Sequence, residues 1–253
     1  MESSFISIKK FSDSPYSVII GYPNATSRQI KSRIKELEEL KIKSISLTGP
    51  TLLGKLAVLG KGYVGVVVLA KRGTKKVALK IRRIDSQRKE MNSEASLLKK
   101  VNSVNVGPKF IAASKNFLVM EYVEGEKISD WVNSLKGVGT VKRLKSAIRD
   151  ILEDCYRLDQ IALDHGEISN ISKHVIVGKG ESTIIDFESS STKRRPSNVT
   201  SVTQAIFIGS GIAKKVQRIY NNPSKEKIIN SLKQYKHEKS EKNFEKLLKT
   251  LKL

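Results

Sequence analysis

The stretch Gly60-Lys61-Gly62-Tyr63-Val64-Gly65-Val66-Val67 carries the pattern on which the interpretation of the whole chain depends. A G-x-G-x-x-G spacing can open a helix in a dinucleotide-binding βαβ unit, or it can form a loop between two strands that covers nucleotide phosphates. The apolar run after Gly65 is rich in β-branched residues and predicts a strand over residues 63–70. Because glycine has no Cβ, backbone amides in such a loop can approach phosphate oxygens closely. The pattern therefore favours a phosphate-covering loop between two strands.

A lysine lies inside the next apolar segment, Val77-Ala78-Leu79-Lys80. Residues 76–84 predict a second strand, and the turn sequence Arg72-Gly73-Thr74 predicts that it pairs with the first strand as a hairpin. A buried ammonium group is strongly disfavoured unless a charged partner compensates it. A lysine on a solvent-facing strand edge is the alternative, but the apolar neighbours favour a buried and paired side chain.

Two carboxylates could supply the partner of Lys80. Residues 87–101 predict a helix, and Glu90 and Glu94 are four positions apart, so both can lie on one helix face. Glu94 comes directly before Ala95-Ser96-Leu97-Leu98, which places it one turn before a predicted buried pair. We therefore favour Glu94 over Glu90.

Two later strands complete the pattern. Residues 116–122 predict a buried strand that pairs with residues 109–113. The run Ile184-Ile185-Asp186-Phe187-Glu188 follows a second predicted hairpin, which begins at Val175. A carboxylate directly after buried β-branched residues offers the hard oxygen ligands that Mg²⁺ binds. Asp186 is therefore a candidate metal ligand, and the alternative is an ordinary turn residue.

These motifs, in this order, resemble the protein-kinase superfamily over roughly residues 56–190. More narrowly, the chain resembles the small atypical kinases of the RIO type and a group of archaeal predicted serine/threonine kinases. The resemblance implies an α+β, two-lobed protein-kinase-like fold that uses ATP and Mg²⁺. It divides the chain into a small N-terminal α/β extension (residues 1–52), a strand-rich N-lobe (53–124) and a truncated helical C-lobe with basic C-terminal helices (125–253).

The resemblance assigns the nucleotide site to motifs that surround the predicted hairpin. The glycine stretch would cover the ATP phosphates, Val67 would cover the adenine, and Lys80 would bind phosphate oxygens. Backbone groups near Glu121 and Val123 would hydrogen-bond the adenine. The residues that the resemblance implies for nucleotide binding are Gly60, Lys61, Gly62, Gly65, Val67, Ala78, Lys80, Glu94, Met120, Glu121 and Val123.

The catalytic half of the chain departs from the family pattern. RIO-type kinases carry H-G-D, whereas this chain has Asp164-His165-Gly166-Glu167-Ile168-Ser169, so Glu167 stands at the position of the catalytic aspartate. That carboxylate would accept the proton of the attacking hydroxyl, and His165, Lys80 and Asp186 are the other implied catalytic residues. Glutamate is one methylene longer, and a misplacement of about 1 Å can cost on the order of a hundredfold in rate.

The family's second metal ligand, an asparagine, is absent from its expected position. Counting five residues from Glu167 gives Ser172, whereas counting back from the strand at Val175 gives His174. The implied metal ligands are therefore Asp186 with Ser172 or His174. Glu188 replaces the glycine of the D-F-G motif and could offer a further carboxylate.

The function that the resemblance implies is that of a serine/threonine protein kinase. It would transfer the γ-phosphoryl group of ATP to a protein hydroxyl, either on another protein or on itself. The departures at Glu167 and at the asparagine position leave an alternative open. The chain could instead be a pseudokinase or an ATPase that acts as a nucleotide-dependent switch or scaffold on RNA or a ribonucleoprotein.

A large positive charge accompanies these motifs. Lys and Arg number 47 against 25 Asp and Glu, a formal net charge of +22. Such a field attracts polyanions, among them nucleotides, RNA and DNA. Residues 211–253 hold twelve Lys or Arg and four Glu, so this region is a candidate contact for RNA or a ribonucleoprotein. The alternative is the solvated face of two packed helices.

Residues 1–52 predict a small α/β unit of their own. Ser17-Val18-Ile19-Ile20 and Ser44-Ile45-Ser46-Leu47 each predict a strand. Between them, Thr26 and Gln29 form a capping-box pattern at the start of a predicted helix. The unit could brace the strand-rich lobe, or it could bind a partner.

Several classes of protein and site are disfavoured. The single cysteine, Cys155, cannot form an internal disulfide, and three histidines with one cysteine nearly exclude a structural zinc site. The start of the chain shows no signal-peptide pattern, and no stretch of roughly 18 apolar residues predicts a membrane span. These features predict a cytoplasmic protein.

Overall fold

The computed structural model of the chain describes residues 4–209, 211–221 and 223–253. Its backbone contacts divide the protein into two compact units. The first unit holds the described residues up to Lys99 together with Pro108–Tyr122, and the second holds those of Lys100–Gly107 and Val123–Leu253. The first unit is built on an antiparallel sheet and the second is mainly helical, which confirms the α+β prediction.

The first unit is organised by its strands. In chain order these are β1 (Phe5–Ser7), β2 (Ile42–Ser46), β3 (Thr51–Leu53), β4 (Leu56–Val58), β5 (Gly60–Lys61), β6 (Gly65–Arg72), β7 (Lys75–Arg82), β8 (Phe110–Ala113) and β9 (Phe117–Glu121). A seven-stranded sheet has the order β1-β2-β6-β7-β9-β8, with β5 also paired to β6, and every pairing is antiparallel. Strands β3 and β4 form a separate pair.

The predicted hairpin is the centre of this sheet. Strands β6 and β7 pair along eight residues each, from Gly65 opposite Arg82 to Arg72 opposite Lys75. The turn between them contains Gly73, whose φ of +63° lies in the left-handed region that glycine adopts readily. The β-branched run therefore forms the strand that the sequence predicts.

Helices α1 (Ser17–Ile20), α2 (Ser27–Glu39) and α3 (Asn92–Asn102) complete this part of the chain, after a 3₁₀ turn at Ile8–Ser12. Helix α2 begins with the predicted capping box: Gln29 N–H donates to Thr26 Oγ1 at 3.3 Å, and Thr26 N–H donates to Gln29 Oε1 at 2.8 Å.

The prediction of a strand over Ser17–Ile20 is wrong, because these residues form the single turn of α1. Ile19 and Ile20 are both fully buried, so two successive side chains face the core. A half-buried strand would place them on opposite faces, and a short apolar run does not distinguish a buried strand from a buried helical turn.

The N-terminal residues share the core of the sheet. Phe11, Ile19, Ile20 and Leu37 lie in the same buried cluster as the sheet residues Val68 and Leu79. Strand β2 joins β6 directly, so the first fifty residues extend the sheet of the hairpin.

Polar contacts also fix α2 to the β8–β9 hairpin. Arg33, only 2% exposed, donates to Ile20 O at 2.5 Å and to Asn116 Oδ1 at 3.1 Å. Glu36 accepts hydrogen bonds from Asn116 Nδ2 at 2.5 Å and from Ser114 Oγ at 2.7 Å. These contacts favour a bracing role for the N-terminal residues, which stays a prediction.

The second unit contains a small sheet and the remaining helices. Its strands are β10 (Glu126–Lys127), β11 (Val175–Val177) and β12 (Ser182–Ile184), and its helices are α4 (Ile128–Ser134), α5 (Thr140–Gln160), α6 (Ile171–His174), α7 (Asn198–Gln204), α8 (Gly211–Ile219), α9 (Lys225–His237) and α10 (Glu241–Leu251). Strands β11 and β12 form the second predicted hairpin, with Val175 opposite Ile184. A 3₁₀ turn at Phe187–Ser189 follows β12, and a π-helical segment at Ala205–Gly209 follows α7.

Helix α5 forms the core of this unit. Ile148, Ile151 and Leu158 are buried along its length, and Tyr156 stacks on Phe244 of α10 with ring centroids 4.4 Å apart. One face of α10 is apolar and buried, and it consists of Phe244, Leu247, Leu248 and Leu251. Across the described residues, no helix has the length and apolar character needed to cross a bilayer.

Candidate active site

Lys80 and Glu94 form a buried ion pair in the first unit. Lys80 Nζ lies 2.7 Å from Glu94 Oε1, and both residues are 4% exposed. Glu94 lies in the first turn of α3, and the Nη1 atom of Arg88 lies 3.8 Å from its Oε2. The carboxylate that meets Lys80 is therefore that of Glu94 rather than Glu90.

The pair lies beside an inner strand of the sheet. Lys80 on β7 is flanked by Val67 on β6 and Leu118 on β9. Removing two charges from water costs several kcal/mol per ion, and their attraction offsets this only with good geometry, so a purely structural sheet has little need of such a pair. Buried, paired ionisable groups are accordingly candidates for function.

The glycine stretch forms the predicted strand–loop–strand. Strand β5 pairs with β6, with Gly60 opposite Val67, and the loop between them closes where Gly62 N–H donates to Gly65 O at 2.8 Å. Tyr63 at the tip of the loop is 69% exposed. No helix begins at these glycines, so the loop has the form of a flap between strands rather than that of a dinucleotide-binding turn.

Gly65 is required by the close packing of this loop. A Cβ at this position would lie 2.8 Å from the backbone atom Ile81 O, which is too close, and 3.2 Å from Lys80 Cγ, which is a tight contact. A Cβ at Gly60 would meet no atom within 4 Å. The absence of a side chain at Gly65 thus lets β6 lie against the stem of Lys80.

The other residues predicted to bind the nucleotide near its adenine lie on β7 and β9 or directly after β9. Ala78 is buried and lies opposite Met120 in the register of the two strands. The N–H of Glu121 already donates to Lys109 O at 2.9 Å, so that group is engaged within the sheet. Val123 is half-buried and belongs to the second unit.

His165, in the second unit, is held as a neutral imidazole. It is fully buried, its Nε2 lies 3.1 Å from Ile185 O, and its Nδ1 accepts from Glu167 N–H at 3.4 Å. A proton on Nε2 and a lone pair on Nδ1 satisfy both contacts. Burial lowers the pKa of His165 to about 4, which keeps the ring neutral at physiological pH.

A buried polar network fixes the backbone at His165. Its N–H donates to Asn198 Oδ1 at 2.9 Å, and Asn198 Nδ2 donates to Asp159 Oδ1 at 2.8 Å and to Leu163 O at 2.7 Å. The Tyr235 hydroxyl donates to the other oxygen of Asp159 at 3.0 Å. Burial raises the pKa of Asp159, and these donors oppose the shift by stabilising the carboxylate.

Glu167 is oriented by two side chains. Ser189 Oγ donates to its Oε1 at 2.7 Å, and His174 Nε2 lies 3.4 Å from its Oε2. The Glu167 side chain is 55% exposed, whereas that of His174 is 6% exposed. A carboxylate that is exposed to solvent and held in place by hydrogen-bonding neighbours can accept a proton from a substrate hydroxyl.

The loop before Glu167 is closed by Arg194. Its Nε donates to Asp164 Oδ2 at 2.8 Å, and its Nη2 donates to Ser189 O at 2.5 Å. Gly166 has a φ of +88°, and a Cβ there would lie 2.6 Å from both Arg194 Nη2 and Ser189 O. Glycine at this position therefore allows the segment of Ser189 to lie directly on the loop.

Asp186 ends the β11–β12 hairpin in a conformation that is uncommon for a residue with a side chain. Its φ and ψ are +66° and +71°, and the 3₁₀ turn at Phe187–Ser189 follows it. One carboxylate oxygen of Asp186 lies within 4.8 Å of one from Glu188. Two hard oxygen donors at this spacing suit Mg²⁺.

The two alternatives for the second metal ligand lie in different surroundings. His174 contacts Glu167 as described, and its ring meets that of His165 edge-on with centroids 5.2 Å apart. Ser172, two positions before His174 in α6, instead lines a surface cavity of about 300 Å³ together with Lys215 of α8. The roles of both residues in metal binding stay predictions.

The comparison with known protein families supports the resemblance over the part of the chain just described. The sequence model of the RIO domain matches residues 69–206, which is more than half of the chain. The chain belongs to the RIO family of atypical protein kinases. Within the matched region lie Lys80, Glu94, Glu167 and Asp186, whereas the glycine loop of this RIO-family protein lies just before it.

This RIO-family protein is also similar to an uncharacterized protein of Methanocaldococcus jannaschii. The two are 28% identical over 102 residues, a stretch that covers 40% of this chain and 84% of that protein. The similarity adds no functional information, since the relative is itself uncharacterized.

Some contact residues of the site had no signal in the sequence of this RIO-family protein. Ser189 and Arg194 lie in a polar, basic stretch, and Asp159 and Asn198 carry no motif. Ser189 is 22 positions from Glu167, and Asn198 is 39 positions from Asp159. The proximity of Ser189 to the D-F motif is the one sequence feature that could have suggested it.

Proposed function

We propose that this protein binds MgATP and transfers its γ-phosphoryl group to a serine or threonine hydroxyl. The observation that carries the proposal is the buried Lys80–Glu94 pair in a chain of the RIO family. A lysine held in a sheet by a buried carboxylate presents one ammonium group in a fixed place, where it can neutralise phosphate oxygens. Gly65 supports this role because it lets the glycine loop pack on the stem of the same lysine.

The proton of the acceptor hydroxyl would go to Glu167. This carboxylate is exposed enough to meet a substrate, and Ser189 and His174 hold its two oxygens in place. Its longer side chain replaces the aspartate of the family pattern, and these two contacts would compensate for the extra methylene. His165 stays neutral and supports the loop through Ile185 O and Glu167 N–H, so its role is to position the base rather than to titrate.

Asp186 and Glu188 are the residues that would hold the metal ion. Their carboxylate oxygens lie close together at the end of the hairpin, and a carboxylate pair is a suitable donor set for Mg²⁺. When bound, Mg²⁺ would neutralise negative charge on the transferring phosphate. The two carboxylates lie two positions apart, where the left-handed backbone of Asp186 leads into the 3₁₀ turn that contains Glu188.

A labelling experiment tests this function. The purified chain is incubated with γ-labelled ATP and Mg²⁺, and labelled protein, ADP and free phosphate are measured for wild type, Lys80→Ala and Asp186→Asn. Lys76→Ala, an exposed lysine on the same strand, is the matched control. We expect labelled protein from wild type and the control and none from the two site variants.

The other outcomes separate the alternatives. Free phosphate without labelled protein would indicate an ATPase, and nucleotide binding without either product would indicate a pseudokinase. Equal labelling of wild type and both site variants would contradict the proposal.

The basic C-terminal region is a candidate partner surface within the same proposal. Of its twelve Lys and Arg residues, all but Lys215 and Lys239 are exposed, as are its four glutamates. A contact with RNA through this face should weaken steeply as salt is raised, because phosphate contacts release counterions. Binding that is unchanged by salt, or by Lys→Gln changes on α9 and α10, would exclude this contact.

A further inference from the structure

The hydroxyl of Ser189 contacts the carboxylate that we propose as the general base. Ser189 Oγ donates to Glu167 Oε1 at 2.7 Å, which is the geometry a general base needs to accept a hydroxyl proton. Ser189 is half-buried.

The neighbouring hydroxyls are directed elsewhere. Ser190 Oγ donates to His165 O at 3.3 Å, and Ser191 Oγ accepts from Lys193 N–H at 3.1 Å. Of the run Ser189-Ser190-Ser191, Ser189 is thus the member that contacts Glu167. The three residues are all serines, so only their contacts in the folded protein distinguish Ser189 from the other two.

We propose that Ser189 is a phosphoacceptor site of this protein, modified by the γ-phosphoryl group of ATP within the same chain. The inference rests on the proposed function and names one substrate hydroxyl for it. Acceptor and base belong to one compact unit of one molecule, so the reaction does not require an encounter between two proteins.

The proposed transfer changes bonds only in ATP, the Ser189 hydroxyl and the Glu167 carboxylate. A bond forms between Ser189 Oγ and the γ-phosphorus of ATP, the bond from that phosphorus to the β,γ-bridging oxygen breaks, and ADP leaves. The hydroxyl proton passes to Glu167 Oε1 and then to solvent. The 3₁₀ turn that carries Ser189 also carries Glu188 and follows Asp186, so the acceptor is three positions after one proposed metal ligand and directly after the other.

Arg194 is placed to receive the product. Its Nη2 already donates to the backbone oxygen of Ser189 at 2.5 Å. A phosphoserine carries nearly two negative charges at neutral pH, so Glu167 would repel it while a guanidinium attracts it. Phosphorylation would therefore move the Ser189 side chain away from Glu167 and leave this carboxylate open to a second hydroxyl.

The test is to locate the label by fragmentation of the tryptic peptide of residues 180–193, which contains all three serines of the run. Wild type, Ser189→Ala, Ser189→Thr and the adjacent control Ser190→Ala are compared after incubation with γ-labelled ATP and Mg²⁺. ADP formation is followed in parallel. We expect phosphoserine at position 189 in wild type and in the control, phosphothreonine in Ser189→Thr, and loss of this label in Ser189→Ala. The first-order rate should not change when the protein is diluted.

Three results would overturn the proposal. ADP formation with the label on other residues, unchanged by Ser189→Ala, would exclude Ser189 while leaving the proposed function intact. No ADP and no label from wild type would reject both the assignment and the function on which it rests. A labelling rate that rises with protein concentration would exclude transfer within one chain.

Discussion

Lys80 Nζ and Glu94 Oε1 lie 2.7 Å apart inside the first unit, where both side chains are almost inaccessible to water. Removing one partner of such a pair leaves a buried charge without compensation, which typically costs about 3–5 kcal/mol of stability. Arg88, 3.8 Å from the other oxygen of Glu94, should bring the cost for Lys80→Met toward the lower end of this range.

The double variant Lys80→Met/Glu94→Leu should be more stable than either single variant, because it replaces both charges with apolar groups. Urea denaturation of wild type, the two single variants and the double variant measures the interaction free energy between the two charges. If the double variant instead lost as much free energy of unfolding as the two single variants together, the two charges would not stabilise each other.

Gly65→Ala should lower the free energy of unfolding by about 1–3 kcal/mol, the usual range for overpacking. The reason is the 2.8 Å approach of the added Cβ to Ile81 O, a backbone atom in the inner strand β7. Gly60→Ala is the matched control, since its Cβ would meet no neighbour within 4 Å. Equal effects of the two changes on thermal unfolding would contradict the packing argument.

The burial of His165 predicts a pH dependence of stability. Its folded pKa is about 4, below the ordinary value of 6.5, so between these values the unfolded chain binds a proton that the folded chain does not. Stability attributable to His165 is therefore complete above about pH 6.5 and is lost as the pH falls toward 4.

The variant His165→Gln isolates this effect, because Asp154, whose pKa burial raises to about 6, contributes with the opposite sign in both proteins. The stability difference between wild type and variant should shrink by about 3 kcal/mol from pH 7 to pH 4. Parallel pH profiles would show that His165 is not held neutral by the fold.

The Tyr235–Asp159 hydrogen bond predicts a selective loss of stability. Tyr235→Phe removes one donor from a buried carboxylate and should cost about 1–3 kcal/mol. Tyr156→Phe is the matched control: its ring belongs to the same aromatic cluster and is half-buried. A similar loss in both variants would mean that removal of a hydroxyl from this aromatic cluster, and not loss of the contact with Asp159, explains the effect.

The sequence was most informative where local pattern and chemistry coincide. The β-branched run after Gly65 and the lysine among apolar neighbours together predict a strand, a hairpin and a buried charge, and the structure contains all three. The start of helix α2 could be predicted equally well, because the contacts of its capping box join residues three positions apart.

The remaining features depend on contacts between distant residues. Strand β2 pairs with β6, with Ile45 opposite Ala70, and Glu36 binds Asn116 from 80 positions away, so the sequence could not show that the first fifty residues extend and brace the sheet. The same limit applies to Ser189 and Arg194, whose contacts depend on how the segment after β12 folds back on Gly166. Ser17–Ile20 was assigned wrongly because a four-residue apolar run carries no period.

Glu167→Gln tests the central claim most directly, because glutamine keeps the size of the side chain and an oxygen for the Ser189 hydroxyl but cannot accept a proton. Phosphoryl transfer and MgATP affinity are measured for wild type, for this variant and for Glu181→Gln, an exposed glutamate of the same unit. We predict a fall in the transfer rate of about 10²–10⁴-fold for Glu167→Gln with unchanged MgATP affinity, and no fall for the control. Transfer by Glu167→Gln at the wild-type rate would contradict the account.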